Sequence, residues 1–360
     1  MAPNGEMLRL ARQRKGFHQT EAATRLRIEQ PLLSRLENGL AEPREEILLR
    51  AAQVYEMPVT FFELTDPVYG APVSVHPMWR KKSDVTSREL DCVVAELNIR
   101  GIHLRRMLQS AEIVNSSDIP RLDIEDYGSA EKIASLVRAH WKVPQGPIRD
   151  LTLYVERAGV LVVHSAMGGA SISGVTFSAP GLPPLIVLNS EQPSDRLRYT
   201  LAHELGHLVM HKFPTPTMEK EANDFASALL MPEADIRPYF MGRRIDLASL
   251  GALKPEWKVS IQSLLMRARD LGFVPKNREQ YLWKQINARR LRLREPPELD
   301  FAPEIPTVVK TMVRLHLEAL GYTTSDLATL LHILKTDLVE MYDVGRPEID
   351  PQRPKLSILK

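Results

Sequence analysis

The sequence predicts a chain of several domains: an all-α region at the amino terminus, an α+β domain in the middle and a helical region at the carboxy terminus. Three observations predict it. Residues 5–62 form a succession of short apolar-faced runs with tight joints. Residues 160–189 carry three strand-like runs bounded by Gly and Pro. Two Pro-containing stretches, 63–77 and 292–306, read as linkers between these blocks. With 360 residues there is room for two or three domains, and a hydrophobic content of 44% permits real cores.

The amino-terminal elements follow in order. Met7, Leu8, Leu10 and Ala11 make the first apolar face. A second run from Gln19 to Leu26 carries Ala22, Ala23 and Leu26, and a third from Pro31 to Leu36 carries Leu32, Leu33 and Leu36. Asn38-Gly39 stops the third run as a C-cap should. A fourth, Arg44 to Tyr55, has Pro43 at its leading edge. Helices of this length, with Gln19-x-x-x-Ala23 opening the second and Ser34-Arg35-Leu36-Glu37-Asn38-Gly39 closing the third, resemble the Cro/C1-type (XRE family) helix-turn-helix domain. The resemblance implies binding of double-stranded operator DNA, with the helix near Gln30–Glu37 in the major groove. Gln19, Gln30, Ser34 and Arg35 are then the expected DNA contacts. Gln pairs bidentately with adenine, and Arg with guanine or phosphate. Three positions depart from the family pattern: His18 replaces the usual Thr or Ser cap, Arg27 the usual turn Gly, and Glu29 puts a negative charge at the edge of the recognition helix. Residues 1–65 hold nine Lys/Arg and nine Glu, so attraction to phosphate has to come from segregation of charge. A protein-docking module of the same fold is the alternative.

Beyond the first linker, Arg80-Lys81-Lys82 reads as a solvated turn, with a phosphate contact as the sharper alternative. Helices are expected near 87–110 and 129–141, then strands at Val160–His164, Ser171–Phe177 and Leu185–Asn189. Cys92 lies within the first of these helical patterns and reads as packing; as the sole cysteine it excludes an intrachain disulfide framework and suits the cytoplasm. The net charge of +2 is too small to argue nucleic-acid binding on its own. No apolar run is long enough for a membrane span, and the first residues lack a secretion signal.

The most specific feature is His203-Glu204-Leu205-Gly206-His207, an H-E-x-x-H motif set in an apolar run from Tyr199 to Met210. Residues four apart share a helix face, so His203 and His207 can offer two imidazole nitrogens to one tetrahedral Zn²⁺. Glu204 sits one residue round the turn, placed to take a proton from the attacking water and pass it to a leaving amine. Read as a plain surface helix, the pattern would leave two His and a Glu on an apolar face without a ligand, which is costly.

A third ligand is needed. His211 lies about 12 Å along the axis from His203 if the helix continues, and could join only if the chain broke and folded back. It reads as a C-terminal helix residue, favourable against the dipole. Glu219 to Pro232 reads as an amphipathic helix. Glu219 and Glu221 fall on nearly opposite sides of it, so at most one ligates, and the apolar stripe lies about midway between them. Periodicity therefore does not choose. H-E-L-G-H followed by E-A-N-D-F-A-S-A-L-L-M-P resembles the ImmA/IrrE family of zinc metallopeptidases, as do Trp141–Ile148, Asp195–Ala202 and Leu253–Ser260, so that the resemblance covers most of 125–290. It implies an α+β zincin-like metallopeptidase domain whose third zinc ligand is Glu221, the Glu directly before Ala-Asn. Asp224 and Asn223 are then candidates to orient a ligating His.

The chain after Pro232 reads as helical to about 289. Residues 307–343 loosely echo the amino-terminal pattern with few basic residues and read as a docking or dimerisation bundle, and the tail from Gly345 as loose. The expected organisation is a helix-turn-helix domain at 1–65, a linker and helical connector at 66–124, a metallopeptidase domain at 125–290, and a linker with a helical bundle at 291–360. The expected function is a cytoplasmic regulator in a stress or prophage response, carrying a zinc endopeptidase of narrow specificity whose substrate, as the family resemblance implies, is a helix-turn-helix repressor. The alternative is a DNA-binding transcription factor, with a homodimer as one option, whose zinc domain senses a ligand or partner without cutting.

Overall fold

A computed structural model describes residues 3–71, 86–167, 172–292 and 294–344, and the backbone of 355–358. Arg80-Lys81-Lys82 and most of the tail from Gly345 lie outside the described residues.

Four helices open the chain: α1 (Gly5–Arg14), α2 (Gln19–Leu26), α3 (Gln30–Glu37) and α4 (Glu45–Tyr55). Their apolar faces meet in one core around Met7, Leu10, Leu26, Leu33 and Tyr55. The departures seen in the sequence appear as local costs. His18 caps α2 with no side-chain bond, and Arg27 closes it in the left-handed region at φ 56°. That region costs a non-glycine residue roughly 1–2 kcal/mol.

The helix α5 (Ser87–Met107) starts at a capping box, Thr86 with Glu89. It belongs to two cores. Ala95, Ile99 and Ile102 pack into the amino-terminal core. Val93, Leu97, Leu104 and Met107 face the opposite way, into a second core with the central sheet and the carboxy-terminal helices.

After α5 come β1 (Ala111–Val114), α6 (Ile124–Tyr127), α7 (Ala130–His140) and α8 (Leu151–Arg157). The central sheet follows, with β2 (Leu161–Ser165), β3 (Gly174–Phe177) and β4 (Leu185–Asn189) in the order β2-β4-β3. Strands β2 and β4 are parallel, and β3 runs antiparallel to β4. Side chains alternate between two cores, as a period of two requires. Leu161, Val163, Val175, Phe177, Leu185 and Val187 face α5. Val162, Ile186 and Leu188 face α9 (Ser194–Met210) and α10 (Met218–Leu230), in the largest core.

The helices α11 (Glu233–Phe240), α12 (Leu247–Trp257), α13 (Ile261–Asp270) and α14 (Lys276–Ala288) complete that core. The expected linker at 292–306 is instead a strap. Glu295 accepts from the buried Lys254 ammonium (2.8 Å) and from the Ile261 amide (2.8 Å). Glu304 accepts from the Thr152 amide (2.8 Å) and pairs with Arg198. Three final helices, α15 (Val308–Arg314), α16 (Thr324–Leu331) and α17 (Lys335–Tyr342), pack on α5 and the sheet, so the carboxy-terminal bundle docks within the chain. Part of the tail read as loose is a strand, β5 (Lys355–Ile358), antiparallel to β1. Both strands escaped the sequence reading because each is four residues long and lacks a clear apolar run.

Two imidazoles in this frame are held neutral. His103 of α5 bonds the Tyr342 hydroxyl through Nδ1 (2.8 Å), and burial, followed by nearby arginines, holds its pKa well below the usual value. Burial pushes His164 of β2 down to about 4, with Lys310 adding to the effect. In the unfolded chain both titrate near 6.5, so the unfolded state binds more protons as pH falls. Their contribution to stability is complete above about pH 6.5 and is lost as pH falls through the His164 folded value. The melting temperature is therefore expected to fall between pH 7 and pH 5, and to fall less in His164→Gln; an identical fall in both would refute this origin. Arg27→Gly is expected to raise stability by up to about 1 kcal/mol by relieving the left-handed turn; thermal denaturation measures it.

Candidate functional site

The helices α9 and α10 cross closely at one glycine. A Cβ on Gly206 would lie 3.0 Å from Phe225 Cδ1 and 3.3 Å from Ala222 Cα. With Ala222 at the crossing, the residues sharing its face set what meets α9. Glu219, three residues earlier, comes under the histidines, and Asn223 lies beside it.

His203, His207 and Glu219 bring one ligand atom each within 4.8 Å of one another. His203 Nε2 and His207 Nε2 are 3.1 Å apart, and the Glu219 carboxylate lies 3.6 and 3.4 Å from them. Glu219 Oε1 is buried and makes no well-formed hydrogen bond, with His207 Nε2 3.4 Å away. Two imidazole nitrogens and a carboxylate oxygen thus aim electron pairs at one point, and a cation relieves that convergence. The donor set suits Zn²⁺, which takes His and carboxylate ligands with a position left open. Burial chiefly lowers the pKa of His203 and keeps it in the neutral form that ligates. Burial alone would raise Glu219, but the three neighbouring histidines outweigh it and hold the carboxyl below its usual range.

The remaining predicted residues separate. Asn223 Oδ1 lies 3.2 Å from His203 Nδ1, on the side of the ring away from the cluster. Asp224 is exposed and paired with Lys220. Glu221, the ligand implied by the family resemblance, is turned away from the cluster, and its Oε2 lies 3.0 Å from His211 Nε2. The reason is rotational: next to Ala222 on the helix, Glu221 points about 100° away from the face that meets His203. His211 differs from its expected place at the end of the helix. It leaves α9 in an extended conformation (φ −111°, ψ 112°), and its Nδ1 lies 2.9 Å from His207 Nδ1.

Glu204 is 2% exposed, and its Oε2 accepts a 2.7 Å bond from Thr176 Oγ on β3. The sequence reading missed Thr176, although strand alternation puts it on the α9 face, opposite Val175 and Phe177. The spacing Glu219-x-x-x-Asn223 was likewise readable as one helix face. A cavity of about 930 Å³ touches Glu219, Asn223 and Tyr199 but neither cluster histidine, so it opens beside the centre and not over it.

In the amino-terminal domain a chain of bonds orders the predicted contacts. Arg12 grips Glu37 with two bonds (2.6 and 3.0 Å), Glu37 accepts from Gln19 (2.8 Å), and Gln19 accepts from Gln30 (2.8 Å). Gln19 and Gln30 are therefore held in fixed orientations at the start of α2 and α3. Ser34 is half-buried and Arg35 is exposed. The Arg12–Glu37 pair was readable as two charged residues among apolar positions.

These features define a two-part protein: a helix-turn-helix unit, and an α+β domain with a His-His-Glu cluster on crossed helices. Family models agree. Residues 155–269 match the Peptidase M78 model, the IrrE N-terminal-like domain, and residues 5–60 match a helix-turn-helix domain. The chain thus joins a helix-turn-helix domain to an ImmA/IrrE-family peptidase domain, and His203, His207, Glu219 and Glu204 all fall in the latter. No curated protein matches the chain. Among the described residues no helix is long and apolar enough to cross a membrane.

The crossing gives a direct test of the geometry. Gly206→Ala is expected to destabilise the chain by about 1–3 kcal/mol through overpacking against Ala222 and Phe225. Thermal melting measures it; a neutral change would show that the two helices are free to separate.

Proposed function

We propose that the chain is a DNA-binding regulator in the cytoplasm whose second domain is a zinc endopeptidase, narrow in specificity, acting on a helix-turn-helix repressor in a stress or prophage response. The observation that carries the peptidase reading is the meeting of His203, His207 and Glu219 one residue from Glu204. His203, His207 and Glu219 would hold the ion, in preference to Glu221. A bound zinc ion supplies Lewis acidity and makes water nucleophilic near neutral pH. Glu204 takes the proton of the attacking water and delivers it to the leaving amine. Asn223 orients the His203 ring, and Thr176 fixes the Glu204 carboxylate.

Restraint has a physical basis in the same site. The base is shielded from solvent, and all four residues of the edge strand β3 are buried. An extended substrate that pairs with an edge strand needs that edge free. We therefore infer that cutting requires an opening step and that unfolded proteins at large are not substrates. The shielded base also favours a second reading, a transcription factor whose metal domain senses a partner without proteolysis. Incubation with repressors encoded beside its gene separates the two. A single cut found by mass spectrometry, lost in Glu204→Gln, supports the peptidase, and absence of cutting under inducing conditions supports the sensor.

Elemental analysis is expected to find one zinc per chain, retained in Glu204→Gln and lost in His203→Ala and Glu219→Ala. Full occupancy in Glu219→Ala would return the third ligand to Glu221. For DNA, Gln30→Ala and Arg35→Ala are each expected to weaken operator binding by about 1–3 kcal/mol, most simply as a homodimer on half-sites one helical turn apart. A shift that is absent at low salt in the unaltered chain favours the docking-module alternative.

A further inference from the structure

We propose that His211 and Glu221 form a hydrogen-bonded arm that fixes the ring tautomer of His207, so that Glu221 acts on the metal centre through two imidazoles and not as a ligand. The inference rests on the reading of His207 as a zinc ligand.

With both rings neutral, the geometry leaves one arrangement of protons. His207 Nδ1 and His211 Nδ1 are 2.9 Å apart, so one of them carries a proton and the other accepts it. Suppose the proton sits on His211 Nδ1. A neutral His211 then has a bare Nε2 facing the Glu221 carboxylate at 3.0 Å, acceptor against acceptor. His207 would accept at Nδ1 and carry its own proton on Nε2, the atom 3.1 Å from His203 Nε2, where it could not ligate. The reverse arrangement satisfies every contact. His207 donates from Nδ1, His211 accepts at Nδ1 and donates from Nε2 to Glu221, and His207 Nε2 is left bare beside His203 and Glu219.

The backbone is shaped to allow it. His211 is the first residue past α9, and its extended conformation brings the ring back against His207. The His211 side chain is only 2% exposed, and Glu221 reaches it from α10. Each cluster histidine thus has its own outer partner, Asn223 for His203 and the His211–Glu221 arm for His207. A carboxylate at the far end of an imidazole chain makes the ligating nitrogen a better donor and fixes the ring plane.

The test is zinc affinity of the full chain at neutral pH, by competition with a chromophoric chelator, with tautomers read from ¹⁵N-histidine NMR spectra. His211→Ala and Glu221→Ala are expected to keep one zinc per chain and to bind it about 10–100-fold more weakly. His211→Gln is expected to recover much of the loss, because its amide oxygen can accept from His207 while its nitrogen donates to Glu221. In the zinc-loaded unaltered chain both rings should show the assigned forms, His207 protonated at Nδ1 and His211 at Nε2. Unchanged affinity in both alanine variants, with zinc still bound, overturns the arm and leaves the metal site standing. Complete loss of zinc in Glu221→Ala, with retention in Glu219→Ala, makes Glu221 the ligand and also overturns it. An unaltered chain that binds no zinc overturns the metal reading itself, and the arm with it.

Discussion

The close crossing of α9 and α10 at Gly206 is the constraint on which the centre depends. A side chain at this position would press on Ala222 and Phe225. With the crossing fixed, the geometry of one helix decides which polar residues of α10 face α9. Glu219 and Asn223 come to the inner ring atoms and outer ring atom of the histidines, and Glu221 swings to His211. A small residue between the two clustered histidines is thus as much part of the geometry as the histidines are. Leu205, Leu208, Phe225 and Leu229 of the two helices are buried in one core, which holds the crossing in fixed register.

A second constraint joins the domains. The helix α5 contributes one face to the amino-terminal core and another to the core under the sheet. The carboxy-terminal helices close on the same helix, with His103 and Tyr342 bonded at the contact and Arg14 of α1 paired with Asp337 of α17 at 2.6 Å. The strap adds buried carboxylate contacts: Glu295 on Lys254 and Glu304 on Arg198, and at its end the Thr307 and Val308 amides donate to Glu156 of α8. Such pairs are costly to break one partner at a time, because the other is left buried and unpaired. Motion between the two halves would have to pass through α5, where the apolar contacts of both cores are made.

What was legible in the sequence follows from how local each signal is. The four amino-terminal helices, the three central strands and the H-E-x-x-H helix were readable because their periodicity or spacing is contained in one element. The pairing of β1 with β5 was not, since it joins positions more than 200 residues apart with no apolar pattern to mark it. The choice between Glu219 and Glu221 was not legible for a related reason. Glu219 and Glu221 flank the apolar stripe of α10 symmetrically, and only the point at which α10 meets α9 breaks the symmetry. Gly206 marks that point, yet its meaning appears only when the partner helix is known. The strap at 292–306 misled through composition: its Pro and Glu content reads as a solvated linker, whereas Glu295 and Glu304 are consumed by partners on α8, α9, α12 and α13.

The two ends of the chain share a structural habit that bears on how they could be joined. In each, a polar side chain with a proposed binding role is held by a bonded series. Gln30 is held by Gln19, Glu37 and Arg12, and His207 by His211 and Glu221. Such series fix rotamers and tautomers ahead of any binding, which lowers the ordering cost of the base contact and the metal site proposed above. Preorganisation of that kind makes a site rigid where it acts and shifts any regulation elsewhere. On the proposed peptidase reading that place is access: Glu204 is shielded beneath β3, and β3 packs through Phe177 against Gly101 of α5. The helix that buries the edge strand is the one shared with the amino-terminal core. A change that moved the helix-turn-helix domain relative to the sheet would therefore act on the cover of Glu204, while leaving the cluster of His203, His207 and Glu219 intact on its own pair of helices.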